Sequence, residues 1–443
     1  MTIYALSSGP GISGLAVVRV SGSQSKVIMD SIIEGDIKPR VATLKKIRKI
    51  NSREVIDEGI ILWFPGPKSY TGDDMLEFHV HGSRAVIDAL LNEISKIEKC
   101  RVAEPGEFTK NAFQNGKISL LEAESIGDLI SSETEIQRRQ AIDIMSGIQG
   151  KKYEGWREKL LKVLSNIEAK IDFPDEDLPQ NILSNIKNTT QTVSQEIKKT
   201  LDDKKVGERI REGFKISILG PSNAGKSSLL NYLSRRDVAI VSEIAGTTRD
   251  VLETHLNLDG YPVILSDTAG IRDAKDEIEK RGIKLALKKS ENADLNIVVI
   301  EPKSGHFTGV LKGLISSENT ILVINKSDLA PQAEFENYKN LNPIIISVKE
   351  EKNLDKLILE IRNRLKNKFL STVDTIITRE RHRQHLIQCL SYLNSFKEKK
   401  DIQEFDKAAE DLRLATRHLG MIVGKIDVEE VLGSIFNDFC IGK

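Results

Sequence analysis

The chain is poor in cysteine: Cys100, Cys389 and Cys440 are the only three in 443 residues. They form no metal-ligand spacing and no disulfide framework, and they suit a reducing cytosol. Net charge is missing too, because lysine plus arginine and aspartate plus glutamate stand at 65 each. That balance excludes a strongly basic nucleic-acid protein, although it permits a local basic patch. No apolar run approaches the ~18–20 residues needed to span a membrane. The opening Met1-Thr2-Ile3-Tyr4-Ala5 lacks the basic start of a secretory signal, so the expected location is cytoplasmic. There are no internal repeats and no low-complexity tail. What is there is 39% hydrophobic and 29% charged, the balance of a soluble protein with sizeable cores. The length allows about two to four domains.

Against this plain background five short segments stand out, in fixed order. Gly220-Pro221-Ser222-Asn223-Ala224-Gly225-Lys226-Ser227 is a phosphate-binding loop of pattern GxxxxGK[ST]. Gly246-Thr247-Thr248, Asp267-Thr268-Ala269-Gly270, Asn325-Lys326-Ser327-Asp328 and Ser347-Val348-Lys349 follow. One such segment arises by chance in about a few per cent of chains of this length; five in this order do not. Phe214 to Leu219 reads as a buried strand entering the loop, and Ser228 to Leu233 opens a helix, which is the context the motif needs. Gly220 and Gly225 let the backbone turn so that amides point at phosphate oxygens. The helix N-terminus adds its positive end. Lys226 is placed to reach the β- and γ-phosphates, and the Ser227 hydroxyl to ligate Mg²⁺.

Thr248 is the second expected Mg²⁺ ligand, and its loop the expected switch. Asp267 closes the apolar strand Val263-Ile264-Leu265, where it would hold Mg²⁺ through water. Gly270 would offer its N–H to the γ-phosphate. Asn325 and Asp328 follow the strand Ile321 to Ile324. Asp328 can accept two hydrogen bonds from the N1 and N2 edge of guanine. Adenine lacks those donors and would leave the carboxylate unpaired, so the expected nucleotide is GTP. Ras-like GTPases place a water-orienting glutamine just after Asp-x-x-Gly. Here that position is Ile271, and the following loop carries Asp276, Glu277 and Glu279. Residue chemistry alone does not choose among these three carboxylates.

The chain divides by pattern. Residues 1–117 mix α and β: Gly14 to Val20, Gly59 to Phe64 and Met75 to His81 read as strands, and Ala85 to Ile97 as an amphipathic helix. Residues 118–212 lose strand signals; Leu120, Leu121, Ala123, Ile126, Leu129 and Ile130 recur at helical spacing. Residues 213–372 hold the GTPase unit, and 373–443 return to helical periodicity. The expected fold is therefore α/β and α, multidomain, with the P-loop Ras-like G domain inserted in a helical domain whose two halves pack together. His79 and His81 share a strand face, but no third metal ligand is evident, and they read as ordinary polar strand residues.

The wider sequence carries Gly11-Ile12-Ser13-Gly14 with Val18-Arg19-Val20-Ser21-Gly22, and Tyr70-Thr71-Gly72-Asp73-Asp74. It also carries Pro105-Gly106-Glu107-Phe108-Thr109, Leu121-Glu122-Ala123-Glu124 and the terminal Phe439-Cys440-Ile441-Gly442-Lys443. These segments give the chain a resemblance to the MnmE (TrmE) family of tRNA-modifying GTPases. It implies an α+β N-terminal domain that binds a tetrahydrofolate derivative (the 5-formyl or 5,10-methylene form) and makes a homodimer. It implies work with the flavoprotein MnmG to add an aminomethyl or carboxymethylaminomethyl group at C5 of the wobble uridine of certain tRNAs. Folate contacts implied are Arg19, Glu77, Lys117 and Lys443, residue types that suit carboxylates and a pterin edge. The resemblance also implies K⁺ bound by Asn223, Ser242, Ile244 and Thr247, in place of an arginine finger. Ser242 is often threonine in relatives. Glu279 matches the catalytic glutamate that positions water. The nucleotide-binding set then runs over Asn223, Ala224, Gly225, Lys226, Ser227 and Ser228, and over Ser242, Glu243, Ile244, Ala245, Gly246, Thr247 and Thr248. It continues through Asp267, Thr268, Ala269 and Gly270, Asn325, Lys326 and Asp328, and Ser347, Val348 and Lys349. Cys440 is a candidate nucleophile or a C-terminal anchor.

Two other readings compete. One is a GTP-dependent ribosome-assembly factor binding rRNA, as in Era and Der types, but no RNA-binding appendage is found here. The other is a generic signalling switch with slow hydrolysis.

Overall fold

Strand-forming residues dominate the first third of the chain, and their alternation decides which face each strand buries. The computed structural model describes residues 1–172, 180–221, 223–236, 253–267, 290–302, 313, 315–369, 377–399, 405–426, 435–436, 439 and 442. The first strands are β1 (Thr2–Leu6), β2 (Ser13–Ser21), β3 (Thr43–Arg48), β4 (Val55–Phe64), β5 (Met75–Gly82) and β6 (Cys100–Val102). Helices α1 (Ser25–Ile32), α2 (Arg84–Ser95) and α3 (Glu107–Gln114) are interleaved with them. Five helices follow: α4 (Leu120–Ile130), α5 (Glu135–Met145), α6 (Ile148–Asp172), α7 (Gln180–Leu201) and α8 (Val206–Glu212). Next come β7 (Phe214–Leu219), α9 (Lys226–Arg236), β8 (Glu253–Leu258), β9 (Tyr261–Asp267) and β10 (Leu295–Ile300). The described chain closes with β11 (Thr320–Ile324), β12 (Ile344–Ile345), α10 (Leu354–Phe369), α11 (Glu380–Glu398) and α12 (Phe405–Val423).

Two compact units emerge: residues 1–127, 144–178 and 399–443 in one, residues 128–143 and 179–398 in the other. In the first, a sheet of order β3-β4-β5-β2-β1-β6 is antiparallel except where β1 meets β6. The two-residue period of a strand puts Ala16, Val18 and Val20 of β2 on one face, with Leu76, Phe78 and Val80 of β5. There they form one core with Ile28 and Ile32 of α1 and Leu90 and Ile94 of α2. Burial of each such side chain contributes roughly 1.5–3 kcal/mol. The opposite face carries Ile3 and Ala5, which cluster with Ala103 and Phe108. In the same unit α12 packs along α6. Trp156 and Tyr153 of α6 are fully buried, with rings edge-on at 5.7 Å. Lys425 reaches Glu154 at 2.5 Å, and Arg413 reaches Glu168 at 3.1 Å.

In the second unit the sheet order is β12-β11-β10-β7-β9-β8. All its pairings are parallel except β8 with β9. A parallel sheet is covered on both faces, which is why β10 and β11 are buried at every position. Leu229 and Leu233 of α9 and Leu357, Ile361 and Leu365 of α10 complete its core. α11 packs on α7 in the same unit. Cys389 of α11 is fully buried, and burial pushes its thiol up to about 12, which makes it inert. Helices from before the nucleotide-binding sheet thus pack with helices from after it, α6 with α12 and α7 with α11.

Candidate nucleotide site

Four parallel strands, β7, β9, β10 and β11, end at one edge of the second sheet. That edge is where open α/β sheets bind ligands. β7 runs out at Leu219 into the phosphate loop, and α9 begins at Lys226. The loop's shape is fixed by positive backbone angles: φ is 144° at Gly220, 67° at Asn223 and 91° at Gly225. Two of the turns leave no room for a side chain. A Cβ on Gly220 would sit 2.0 Å from the Val299 carbonyl oxygen, and one on Gly225 would sit 2.2 Å from Asn325 Nδ2. Ala224 is buried beneath the loop, while Asn223, Ser227 and Ser228 are exposed above it. Lys226 Nζ donates to the Pro221 carbonyl at 2.8 Å, so its ammonium folds back over the loop.

Asn325, just past β11, is 3% exposed and joins two of the predicted segments. Its Nδ2 donates to the Ala224 carbonyl at 2.9 Å, and its Oδ1 accepts from the Val348 amide at 3.1 Å. Ser347 Oγ donates to Asp328 Oδ1 at 2.6 Å and accepts from the Glu350 amide at 3.2 Å. The Ser347 hydroxyl, foremost, holds the Asp328 carboxyl below the ordinary aspartate value; its own backbone amide and the charges of Lys349 and Lys326 add to this. Lys326 has φ 63°, and its Nζ pairs with Glu301 Oε1 at 2.9 Å. Glu301 follows β10 directly and belongs to no recognised motif. Only the strand order, which sets β10 beside β11, brings it to Lys326.

Asp267 ends β9, where its backbone lies in register with Ile218 near the end of β7. Several predicted residues lie outside the described ones. They are Ser242, Glu243, Ile244, Ala245, Gly246, Thr247, Thr248, Thr268, Ala269, Gly270 and Glu279, together with Cys440 and Lys443.

The predicted folate residues belong to the first unit. Arg19 and Glu77 face each other across β2 and β5, and Arg19 Nε donates to Glu77 Oε1 at 2.9 Å. The Arg19 guanidinium also lies over the rings of Tyr70, at 5.6 Å, and Phe108, at 5.7 Å. Tyr70 and Thr109 share a 2.8 Å hydroxyl contact. Burial raises the Tyr70 phenol above its ordinary value. Lys117 lies beside the turn at Gly72, where a Cβ would meet Lys117 Cε at 3.0 Å. Of the C-terminal motif, Gly442 is described: its carbonyl accepts from Ser7 Oγ at 2.6 Å. His79 Nε2 lies 3.4 Å from Glu77, and His81 Nδ1 lies 2.8 Å from Asp57. Among the described residues no group of three ligands could hold a metal ion.

Comparison with known families meets this geometry along the whole chain. Residues 2–117 match the model for the GTP-binding protein TrmE N-terminus, and residues 120–440 match that for the MnmE helical domain. The tRNA modification GTPase MnmE of Pelagibacter ubique (strain HTCC1062) is 68% identical over 444 residues, covering 100% of both chains. The chain belongs to the MnmE family. Its similarity to the MnmE proteins of Rickettsia bellii (strain RML369-C) and Rickettsia prowazekii (strain Madrid E) is lower, at 44% and 43% identity over 447 residues. Each of these again covers 100% of both chains. The MnmE match therefore takes in both units, the nucleotide-binding sheet and the six-stranded N-terminal sheet alike.

Proposed function

We propose that this chain is a GTP hydrolase that acts in the modification of tRNA. The observation that carries the reading is 68% identity, over the full length of both chains, to a curated tRNA modification GTPase. The site chemistry agrees with it. Gly220 and Gly225 turn the loop where a side chain would strike Val299 and Asn325, which keeps the backbone in the shape of a phosphate cradle. The Asp328 carboxylate is kept ionised and aimed by Ser347, which fits an acceptor for the N1 and N2 donors of guanine. Asn325 locks the phosphate loop to the Val348 segment, so base and phosphate contacts are set relative to each other before GTP arrives.

Ser227 and Thr248 hold Mg²⁺, and Lys226 leaves the Pro221 carbonyl to meet the β- and γ-phosphates. Asn223, exposed at the loop apex, offers its side-chain oxygen to K⁺ together with Ser242, Ile244 and Thr247. When bound, K⁺ supplies positive charge that offsets charge developing on the transferred phosphoryl group. Glu279 orients the attacking water. Arg19, Glu77, Lys117 and Lys443 bind a tetrahydrofolate derivative that brings a one-carbon unit. Arg19 and Glu77 pair with each other, so ligand entry exchanges one ion pair for two contacts rather than stranding a charge. The chain works as a homodimer with the flavoprotein MnmG, on the wobble uridine of certain tRNAs, in the cytoplasm. The domain limits are 1–117, 118–212, 213–372 and 373–443. The ribosome-assembly alternative gains no support, since the two family matches together run from residue 2 to residue 440.

The test is mass spectrometry of wobble uridine in a bacterium deleted for its own family member and rescued with this chain. Restored 5-substituted uridine, with GTP turnover by the purified protein, is the expected result. Turnover without any restored modification would sink the tRNA role.

A further inference from the structure

The chain enters the nucleotide-binding sheet between Glu212 and Phe214 and leaves α10 at Phe369. If these two connections were free, they would absorb any movement the nucleotide causes. In this protein an arginine beside each of them is held by one carboxylate oxygen. Arg211, in the last turn of α8, donates from Nε to Asp128 Oδ1 at 2.9 Å. Arg379, just before α11, donates from Nη2 to the same oxygen at 2.8 Å. The Asp128 side chain is 14% exposed and lies in the last turns of α4.

A second layer joins the inbound and outbound segments to each other. Arg383 of α11 donates to Glu208 at 2.9 Å and to Asp203 at 2.7 Å, and all three side chains are buried. Gly207 approaches Ile377 so closely that a Cβ would sit 2.1 Å from the Ile377 carbonyl oxygen. Removing one partner of that buried triad would strand a charge and destabilise the fold. Asp128 differs from it. It is partly exposed, it touches none of the proposed guanine or phosphate contacts, and its carboxylate joins Arg211 and Arg379 to α4, the helix that follows the N-terminal domain in sequence.

We infer that Asp128 is a positioning residue: by holding Arg211 and Arg379 together it makes α4 follow the nucleotide-binding domain, so that hydrolysis is coupled to tRNA modification. The inference rests on the proposed tRNA role. Neutral asparagine keeps the size of the side chain but loses the charge that holds two guanidinium groups. Glutamate keeps the charge on a longer stem.

The experiment rescues the deleted bacterium with the full chain or with Asp128→Asn, Asp128→Glu, Arg211→Gln or Arg379→Gln. Modified wobble uridine is measured in the cells, and GTP turnover on each purified protein. For Asp128→Asn, turnover should stay within about twofold while modified uridine falls about tenfold, the scale of a lost coupling between sites. Asp128→Glu should recover part of the loss. Each arginine variant should fall between, since one guanidinium remains on the carboxylate. Equal loss of turnover and modification in Asp128→Asn would reduce the tie to ordinary fold support and overturn the inference, as would unchanged modification. Should Asp128→Asn not accumulate as folded protein, the ratio of modification to turnover in the two arginine variants decides in the same way. Absence of modified uridine with the wild-type chain counts against the proposed function itself, and the positioning role falls with it.

Discussion

Ser347 Oγ donates a 2.6 Å hydrogen bond to Oδ1 of Asp328, joining two segments 19 residues apart. The bond fixes the carboxylate's direction and favours its charged form, because a hydroxyl donates more strongly to an ionised carboxylate oxygen than to a neutral one. Asp328 therefore stays ionised to a lower pH than a free aspartate. Guanine recognition is present above the site's pKa and lost as pH falls through it. In Ser347→Ala that loss should begin at higher pH. Affinity for GTP at neutral pH should drop about threefold to tenfold, the net scale of one ordinary hydrogen bond. Fluorescent GTP titrations from pH 4 to 7 read both effects, and superimposable curves for the two proteins would remove Ser347 from the site.

Asp328→Asn should move base preference from guanine toward xanthine. The new amide donates where the carboxylate accepted, and xanthine presents an acceptor at that edge. Competition between GTP and XTP for the purified chain is the measurement. Full retention of GTP selectivity would show that the base is read elsewhere.

Gly225→Ala should lose GTP binding while keeping the fold. The new Cβ would meet Asn325 Nδ2 at 2.2 Å, on a backbone with φ 91° that alanine resists. A conformation of that kind costs about 1–3 kcal/mol. Asn325 would have to release the Ala224 carbonyl, so the link between phosphate loop and base segment would break. Unchanged circular dichroism with GTP affinity down by tenfold or more is the expected pair of results. Wild-type affinity would mean that the loop relaxes freely.

The phosphate loop was legible in the sequence because glycine spacing, a flanking strand and a following helix are all local features. The strands Phe214 to Leu219 and Ile321 to Ile324 were legible for the same reason, as short, mostly apolar runs of a sheet buried on both faces. What sequence could not give were contacts set by register and crossover. Asn325 was recognised as a nucleotide residue, yet its bond to Ala224 spans 101 positions. Arg19 and Glu77 came only from family resemblance; their mutual ion pair follows from the β2–β5 register, which no motif encodes. Glu301 and Asp128 carried no motif signal, because each acquires its partners from how strands or helices are arranged.

Potassium should raise GTP turnover well above the rate in sodium. Asn223 lies exposed on the loop with φ 67°, beside the phosphates' expected position, and Ile271 cannot orient water. Asn223→Ala should abolish the difference between the ions and leave GDP affinity nearly unchanged, since the loop amides and Lys226 remain. Steady-state turnover in matched chloride buffers checks both. Equal rates in K⁺ and Na⁺ for the wild-type chain would remove the ion from the mechanism.

Glu279→Ala should stop hydrolysis without weakening GTP binding. A carboxylate that orients water acts mainly in the transition state, so its loss lowers turnover rather than affinity. A loss of about 10²–10⁴-fold is the scale of a positioned general base or water-orienting group. Residue chemistry left Asp276, Glu277 and Glu279 equal, and family resemblance selects the last. The control is therefore Glu277→Ala, which removes a neighbouring charge of the same sign and should keep turnover within about threefold, as for a solvated surface carboxylate. GTP affinity, turnover and modified wobble uridine are measured together on both variants. Uridine should stay unmodified in Glu279→Ala, because bound but unhydrolysed GTP leaves the cycle incomplete. Normal turnover in Glu279→Ala, or a loss confined to Glu277→Ala, would transfer the role to another carboxylate of the loop.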